Sequence, residues 1–340
     1  LVASDIAGVR KVAWETGEMC EFASCLLSAL GCLGEQVAYP FVTGACGAAF
    51  RFTLFPGACE FGSYGVQNIA EEPFEPVRRA LAAVGVAYSQ YERGAYAEDA
   101  ARILGSLARG VPVLAFQVVG PSDCVILTGY DQGGEVLLGW STFQDIPDDH
   151  PFPPDSTGYF RKAGWHENLG GYLLLGEKTT PPPAREFYLD ALRWAAHLLR
   201  TPRMGGRLTG LAGLRGWAEE MVAEQYFPPG DEGTLGTRYV SAAINMTMLR
   251  DHCTAEAFLR QAMADAPELA PGLAQAAECY AEVSRIRAGM DDLIGDDFSE
   301  KAMHAIADPR IRRAYADAIL QICAQEEQAA GWMEETISER

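Results

Sequence analysis

Apolar positions recur at helical spacing near the start of the chain. In residues 20–33, Phe22, Leu26, Leu30 and Leu33 fall three or four apart, with Cys25 and Ala29 beside them, which is the period of an α-helix. Nearly every position of the stretch is apolar, so it predicts a central helix with no solvent face, ended by Gly34. A second short apolar element is expected over 37–42. The run Thr-Gly-Ala-Cys-Gly-Ala-Ala-Phe at 43–50 follows, and its small residues suit a backbone that turns or is closely approached. Pro56, Gly57, Gly62 and Gly65 mark a loop able to cover a cleft. Amphipathic helices are predicted over 76–84 and 95–108, the second closed by Gly110. The texture then changes to strands over 113–119, 124–130 and 136–140, with Asp131-Gln132-Gly133-Gly134 turning the last two into a hairpin. Residues 171–175 read as a further strand, and the acidic, proline-rich stretch 145–156 reads as an exposed loop.

Three successive prolines at 181–183 can neither continue a strand nor enter a helix interior, so 177–184 reads as a linker. Beyond it the apolar positions keep a helical period throughout. Helices are predicted over 186–200, 210–225, 237–263, 268–287 and 309–332, with a shorter one between the last two. Alanine-rich amphipathic helices on short loops imply a bundle. The fold class is therefore α+β: a domain over 1–176 with a central helix packed on a mostly antiparallel sheet, the linker, and an all-helical domain over 185–340.

A chain of 340 residues exceeds the size at which one core suffices, which agrees with two domains. The formal net charge of −19 opposes binding to nucleic acid or to an anionic membrane surface, since both need a basic footprint. The acidity is spread evenly, with 11 Lys/Arg against 21 Asp/Glu in residues 1–180 and 16 against 25 in 181–340. No apolar run is long enough to span a bilayer, and the first residues lack the order of a secretory leader. The nine cysteines sit mostly within apolar patterns, which suggests reduced, buried thiols in a cytoplasm. Neither zinc-type spacing nor a phosphate-loop signature occurs, so no metal and no cofactor is expected.

Cys20 opens the central helix, where the positive end of the dipole favours a thiolate. Glu18 and Glu21 flank it, and their charge acts in the opposite direction. Arg51 follows an apolar run and needs a carboxylate if buried: Glu18 or Glu21 is the structural partner, an anionic substrate group the functional one. Trp140 and Phe143 line either an apolar pocket or the core. Of the five histidines, His150 and His166 can reach the first domain's cleft from loops. His197 reads as helix packing beside Trp194, and His252 and His304 as helix-surface residues.

The order of Cys20 and its helix, Thr-Gly-Ala-Cys-Gly-Ala-Ala-Phe-Arg-Phe at 43–52, Gly110-Val111-Pro112-Val113 and Val125-Ile126-Leu127-Thr128-Gly129-Tyr130-Asp131 resembles the papain-like fold. It looks most like the family named for the N-terminal domain of the butirosin biosynthesis protein H, itself similar to bacteriocin-processing cysteine peptidase domains; the resemblance covers about residues 15–176. It implies that Cys20 is a nucleophile attacking a carbonyl, with a histidine on the facing strand as base and an Asp or Asn orienting it. At the base position this chain has Asp123, beside Cys124, and near the orienting position it has Gly139 and Trp140. The resemblance thus implies a cysteine-dependent acyltransferase or amide hydrolase with an incomplete triad. Its catalytic candidates are Cys20 and Asp123, with Glu18, Glu21, Arg51, Cys124, Trp140 and His166 around the cleft. The alternative is a degenerate papain-like domain that binds a small molecule, peptide or protein partner without turnover.

Overall fold

The computed structural model describes residues 4–60, 62–120, 124–144, 157–295 and 299–338. Contacts divide the chain into two compact units, the first formed by residues up to Val42 with Arg78–Pro181, the second by Thr43–Val77 with everything from Pro182 onward. The chain passes between the units after Val42, Val77 and Pro181, and the last of these points lies in the stretch 177–184. The first two arise because residues 43–77, expected in the first domain, cluster with the second unit.

In chain order the elements up to that linker are β1 (Ser4–Asp5), α1 (Glu21–Cys32), α2 (Tyr39–Cys46), β2 (Thr53–Leu54), α3 (Glu75–Val84), β3 (Val86–Glu92) and α4 (Tyr96–Ala108). They continue with β4 (Val113–Phe116), β5 (Cys124–Asp131), β6 (Val136–Trp140), β7 (Phe160–Ala163), α5 (Trp165–Asn168) and β8 (Gly171–Lys178). The sheet of the first unit runs β3-β8-β4-β5-β6-β7, every neighbour antiparallel. β1 extends the edge of β5 beyond β4, pairing Ser4 with Tyr130 and Asp5 with Gly129. β4 and β6 are buried along their whole length, and β5 over its first six residues, as continuously apolar strands require. α1 and α4 both pack on β4 and β5. Predicted strands in the middle of this sheet are found. Besides the two-residue β1, the unforeseen strands of this sheet are β3, half exposed and rich in polar residues, and β7, Phe-Arg-Lys-Ala. Both are edge strands that carry no apolar run to read.

α1 ends as its sequence predicts. Gly34 takes φ +79°, its N–H reaches Gly31 O at 3.1 Å, and the Glu35 N–H reaches Leu30 O at 2.9 Å. This is a Schellman closure, which needs a residue at ease in the left-handed region.

The second unit adds α6 (Ala184–Arg200), β9 (Arg203–Met204), β10 (Arg207–Thr209), α7 (Gly210–Val222), α8 (Glu232–His252), α9 (Ala255–Asp265), α10 (Ala270–Ile294), α11 (Glu300–Ala305) and α12 (Pro309–Ser338). α12 packs along α10, α7 and α6, and β2 forms a small antiparallel sheet with β10 and β9. The helix predicted over 237–263 is two helices. The Asp251 carbonyl accepts both the Thr254 hydroxyl at 2.6 Å and the Thr254 N–H at 2.9 Å, which breaks the helical ladder there. Among the described residues no helix is long and apolar enough to cross a membrane.

Packing of the small-residue run explains why 43–77 joins the second unit. A Cβ on Gly44 would lie 2.2 Å from the ring of Phe258. Phe50 meets Phe258 and Tyr280 edge-on at 6.0 and 5.7 Å, and Phe52 stacks on Trp217 at 5.5 Å. The Thr43 and Thr254 hydroxyls share a 2.7 Å bond. Glycine at 44 is thus required by close approach of backbone to a buried ring. Gly44→Ala is expected to lower the urea-unfolding free energy by about 1–3 kcal/mol through overpacking. Gly31→Ala, where a Cβ meets nothing within 4 Å, should be neutral or stabilise by up to about 1 kcal/mol. Equal effects at the two sites would contradict this account.

Candidate functional site

Cys20 is the N-cap of α1, with extended backbone angles of φ −82° and ψ 101°. Its N–H donates to the Tyr39 hydroxyl at 2.7 Å, and the residue is 1% exposed. The helix start therefore holds Cys20 by its backbone and leaves the side chain in the interior. Glu21, in the first turn of α1, is also buried and lies at the end of the helix whose dipole favours a carboxylate. Glu18 faces a different set of groups. Arg10 reaches its two oxygens at 2.8 and 2.6 Å, and the Ser24 hydroxyl donates to it at 2.7 Å, a bidentate, charge-assisted arrangement.

One turn into α1, the Cys25 thiol donates to the Cys124 carbonyl at 3.4 Å. This bond fixes the first residue of β5 against the helix. Burial, aided by the neighbouring Cys25, pushes the Cys124 thiol well above its ordinary range, so Cys124 is a protonated core residue and not a cleft group. Asp123, the candidate base, and His150 lie outside the described residues.

Of the two positions at which an orienting residue was expected, Gly139 has no room for a side chain and Trp140 is packed in the interior. A Cβ at Gly139 would stand 2.0 Å from the Ile126 carbonyl oxygen. Trp140 is buried at 8% exposure; its indole N–H donates to Val9 O at 3.2 Å, and its ring meets Tyr159 edge-on at 5.0 Å. Trp140, read as lining either a pocket or the core, packs in the core. Phe143 likewise packs edge-on against Trp14 at 5.6 Å.

His166 belongs to a separate polar cluster. Its Nε2 donates to Asp99 Oδ2 at 3.0 Å, while the Tyr172 hydroxyl donates to Oδ1 at 2.9 Å and the Gly94 N–H to Oδ2 at 2.8 Å. Arg102 stands 3.6 Å from Oδ1 and lies 4.7 Å above the Tyr91 ring, which itself stacks on Tyr172. Burial alone would raise Asp99, but the Gly94, His166 and Tyr172 donors outweigh it and hold the carboxyl below the usual range. Burial and the bond to Asp99 push the Tyr172 hydroxyl up to about 12, against the opposing pull of Arg102. Asp99 and Tyr172 were not singled out in the sequence; an acidic residue in the first turn of an amphipathic helix reads as ordinary dipole chemistry.

Arg51 has a different carboxylate from the two expected. Its partner is Asp251 at 3.5 Å, both side chains 1% exposed, and Glu18 is engaged with Arg10. His252, read as a helix-surface residue, is wholly buried in the second unit beside Arg51. His304 is 46% exposed near Glu300, and His197 stacks on Trp194 at 5.6 Å, both as read.

A cleft of about 580 Å³ opens along the N-terminal segment and α1, lined among others by Arg10, Glu18, Ser28, Cys32, Glu35 and Tyr39. Lys178 reaches Glu35 at 2.6 Å. The cleft thus offers fixed charges of both signs, a phenol and a thiol. Among the described residues no group of three or more His, Cys, Asp and Glu is placed to hold a metal ion, and no disulfide joins the nine cysteines. Compared with known protein families and with curated proteins, the chain finds no match in either.

Asp99→Asn is expected to cost about 1–3 kcal/mol, because buried donors lose a charged acceptor. Since the folded carboxyl titrates below its unfolded value, its stabilisation is complete above the ordinary carboxyl range and lost as pH falls through the folded value. The gap in unfolding free energy between the wild type and Asp99→Asn should therefore be constant near neutrality and shrink on acidification. A gap that widens in acid would contradict the assignment.

Proposed function

We propose that the first unit is a papain-like domain, related to the family named for the N-terminal domain of the butirosin biosynthesis protein H, that binds a small polar molecule or peptide in the cleft beside α1. The observation that carries this reading is the Tyr39 hydroxyl, which accepts the Cys20 N–H and also lines the cleft. The helix start that would activate a nucleophile is thereby joined to an open cavity, while Cys20 itself is buried. A thiol held in the interior cannot meet a substrate carbonyl. The cleft has what a binding site needs: concavity and a few fixed polar groups. Arg10 and Glu18 are locked together, and the Glu35–Lys178 pair at the surface is free to exchange with a ligand's charges.

The second reading is the cysteine-dependent acyltransferase or amide hydrolase. It is favoured by the position of Cys20 at the N-cap of a helix packed on an antiparallel sheet, the arrangement that lowers a thiol pKa in such enzymes. Asp123 is the base that this reading nominates.

The two are separated by thermal unfolding of the wild type, Cys20→Ala and Arg10→Ala in the presence of amino acids, dipeptides and acyl amides. The binding reading expects a shared ligand-induced stabilisation in the wild type and Cys20→Ala, about 2.7 kcal/mol at a hundredfold excess over Kd, and its loss in Arg10→Ala. Turnover of any acyl amide that disappears in Cys20→Ala would overturn it in favour of the enzyme.

A further inference from the structure

Four charged side chains from three separate segments meet in the interior of the second unit, each at most 2% exposed: Arg51, Asp251, His252 and Glu326. Arg51 and Asp251 form one pair. His252 forms the other centre, and both of its ring nitrogens are engaged. Nε2 lies 2.5 Å from the Arg51 carbonyl oxygen; a carbonyl only accepts, so Nε2 carries a proton. Nδ1 faces Glu326 Oε1, so a proton lies between these two atoms whichever of them holds it.

With that proton the four side chains sum to zero charge. Without it the interior holds one uncompensated negative charge, a costly state for a dry site. Among the described residues, the titratable groups set against the centre on α10 and at the end of α8 are phenol and thiol, which carry no positive charge. From α10 come Tyr280, whose hydroxyl burial and the Glu326 charge push well up, and Cys279. From the end of α8 comes Cys253, whose thiol is raised by burial, with Asp251 and Glu326 adding to the effect. Arg287, which lowers Cys253, is bonded to Asp291 at 2.6 Å.

We propose that this bridging proton ties α8 to α12 and to the segment at Arg51, and that its departure to solvent as pH rises loosens the second unit. The direction agrees with the titration of the ring: burial pulls His252 down, but Glu326 and the Arg51 carbonyl outweigh it and hold the imidazole above the ordinary histidine range. A group raised in the folded state stabilises fully below its unfolded value, and that contribution is lost as pH rises through the folded value. The device therefore acts on the alkaline side.

The test is made on the full chain labelled at histidine, with the ring signals followed by NMR from about pH 5.5 to 9.5 and those of His252 assigned by H252Q. His252 is expected to remain doubly protonated above the pH at which the histidine rings of the urea-unfolded chain lose their second proton. In parallel, the Tm gap between the wild type and E326Q is expected to fall by roughly half or more from pH 6 to 9. A His252 midpoint at or below that of the histidines in the urea-unfolded chain, or a gap independent of pH, overturns the proposal. If E326Q does not fold, the wild-type midpoint decides alone.

Discussion

A helix as apolar as α1 has to be covered over most of its surface, and the first unit is arranged around that constraint. α1 buries Phe22, Ala23, Cys25, Leu26, Ala29 and Leu30, and the strands that receive it, β4 and β5, are themselves apolar without alternation. Neither half is stable in water alone. At roughly 25 cal/mol per Å² of apolar surface removed from water, their mutual burial outweighs any single polar contact nearby. The Cys25–Cys124 bond and the Schellman closure at Gly34 then set the register of the helix on the sheet. The position of Cys20 follows from this packing: the N-cap of a helix whose first six residues are all buried is drawn inward with it.

The second unit depends on a different constraint, close approach of backbone to aromatic rings. The run at 43–52 enters among Phe258, Tyr280 and Trp217 because its residues are small where those rings are large. That exchange of volume is what takes 43–77 out of the first unit. It also buries the guanidinium of Arg51, which in turn requires Asp251 and places its carbonyl against His252. A steric requirement at Gly44 and an electrostatic one at Arg51 are thus two consequences of a single packing event.

What the sequence discloses follows these same lines. Long apolar periods were legible: α1, the hairpin of β5 and β6, and α6, α7, α10 and α12 lie where the pattern puts them. β3 and β7 were not, since an edge strand need not be apolar. The break between α8 and α9 was hidden because Thr254 and Asp251 are also acceptable helix residues. At the site, the placement of Cys20 at a helix start was legible from Gly34 backward, whereas its burial depends on the sheet. Arg51 was recognised as needing a carboxylate, but its partner lies 200 residues away, and spacing cannot reveal it. His252, bordered by Arg250, Asp251 and Cys253, looks solvent-facing until α12 supplies Glu326. The Asp99 cluster escaped for the same reason: His166, Tyr172 and Gly94 come to it from three separate segments.

The central claim is that Cys20 serves the fold and is withheld from solvent. It is tested most directly by mass-spectrometric mapping of iodoacetamide labelling in the native full chain, residue by residue, against the urea-unfolded chain. The account predicts that Cys20 is labelled natively as slowly as buried Cys25 and Cys124, and later than half-buried Cys32 and Cys59. Labelling of Cys20 ahead of all the others would contradict it.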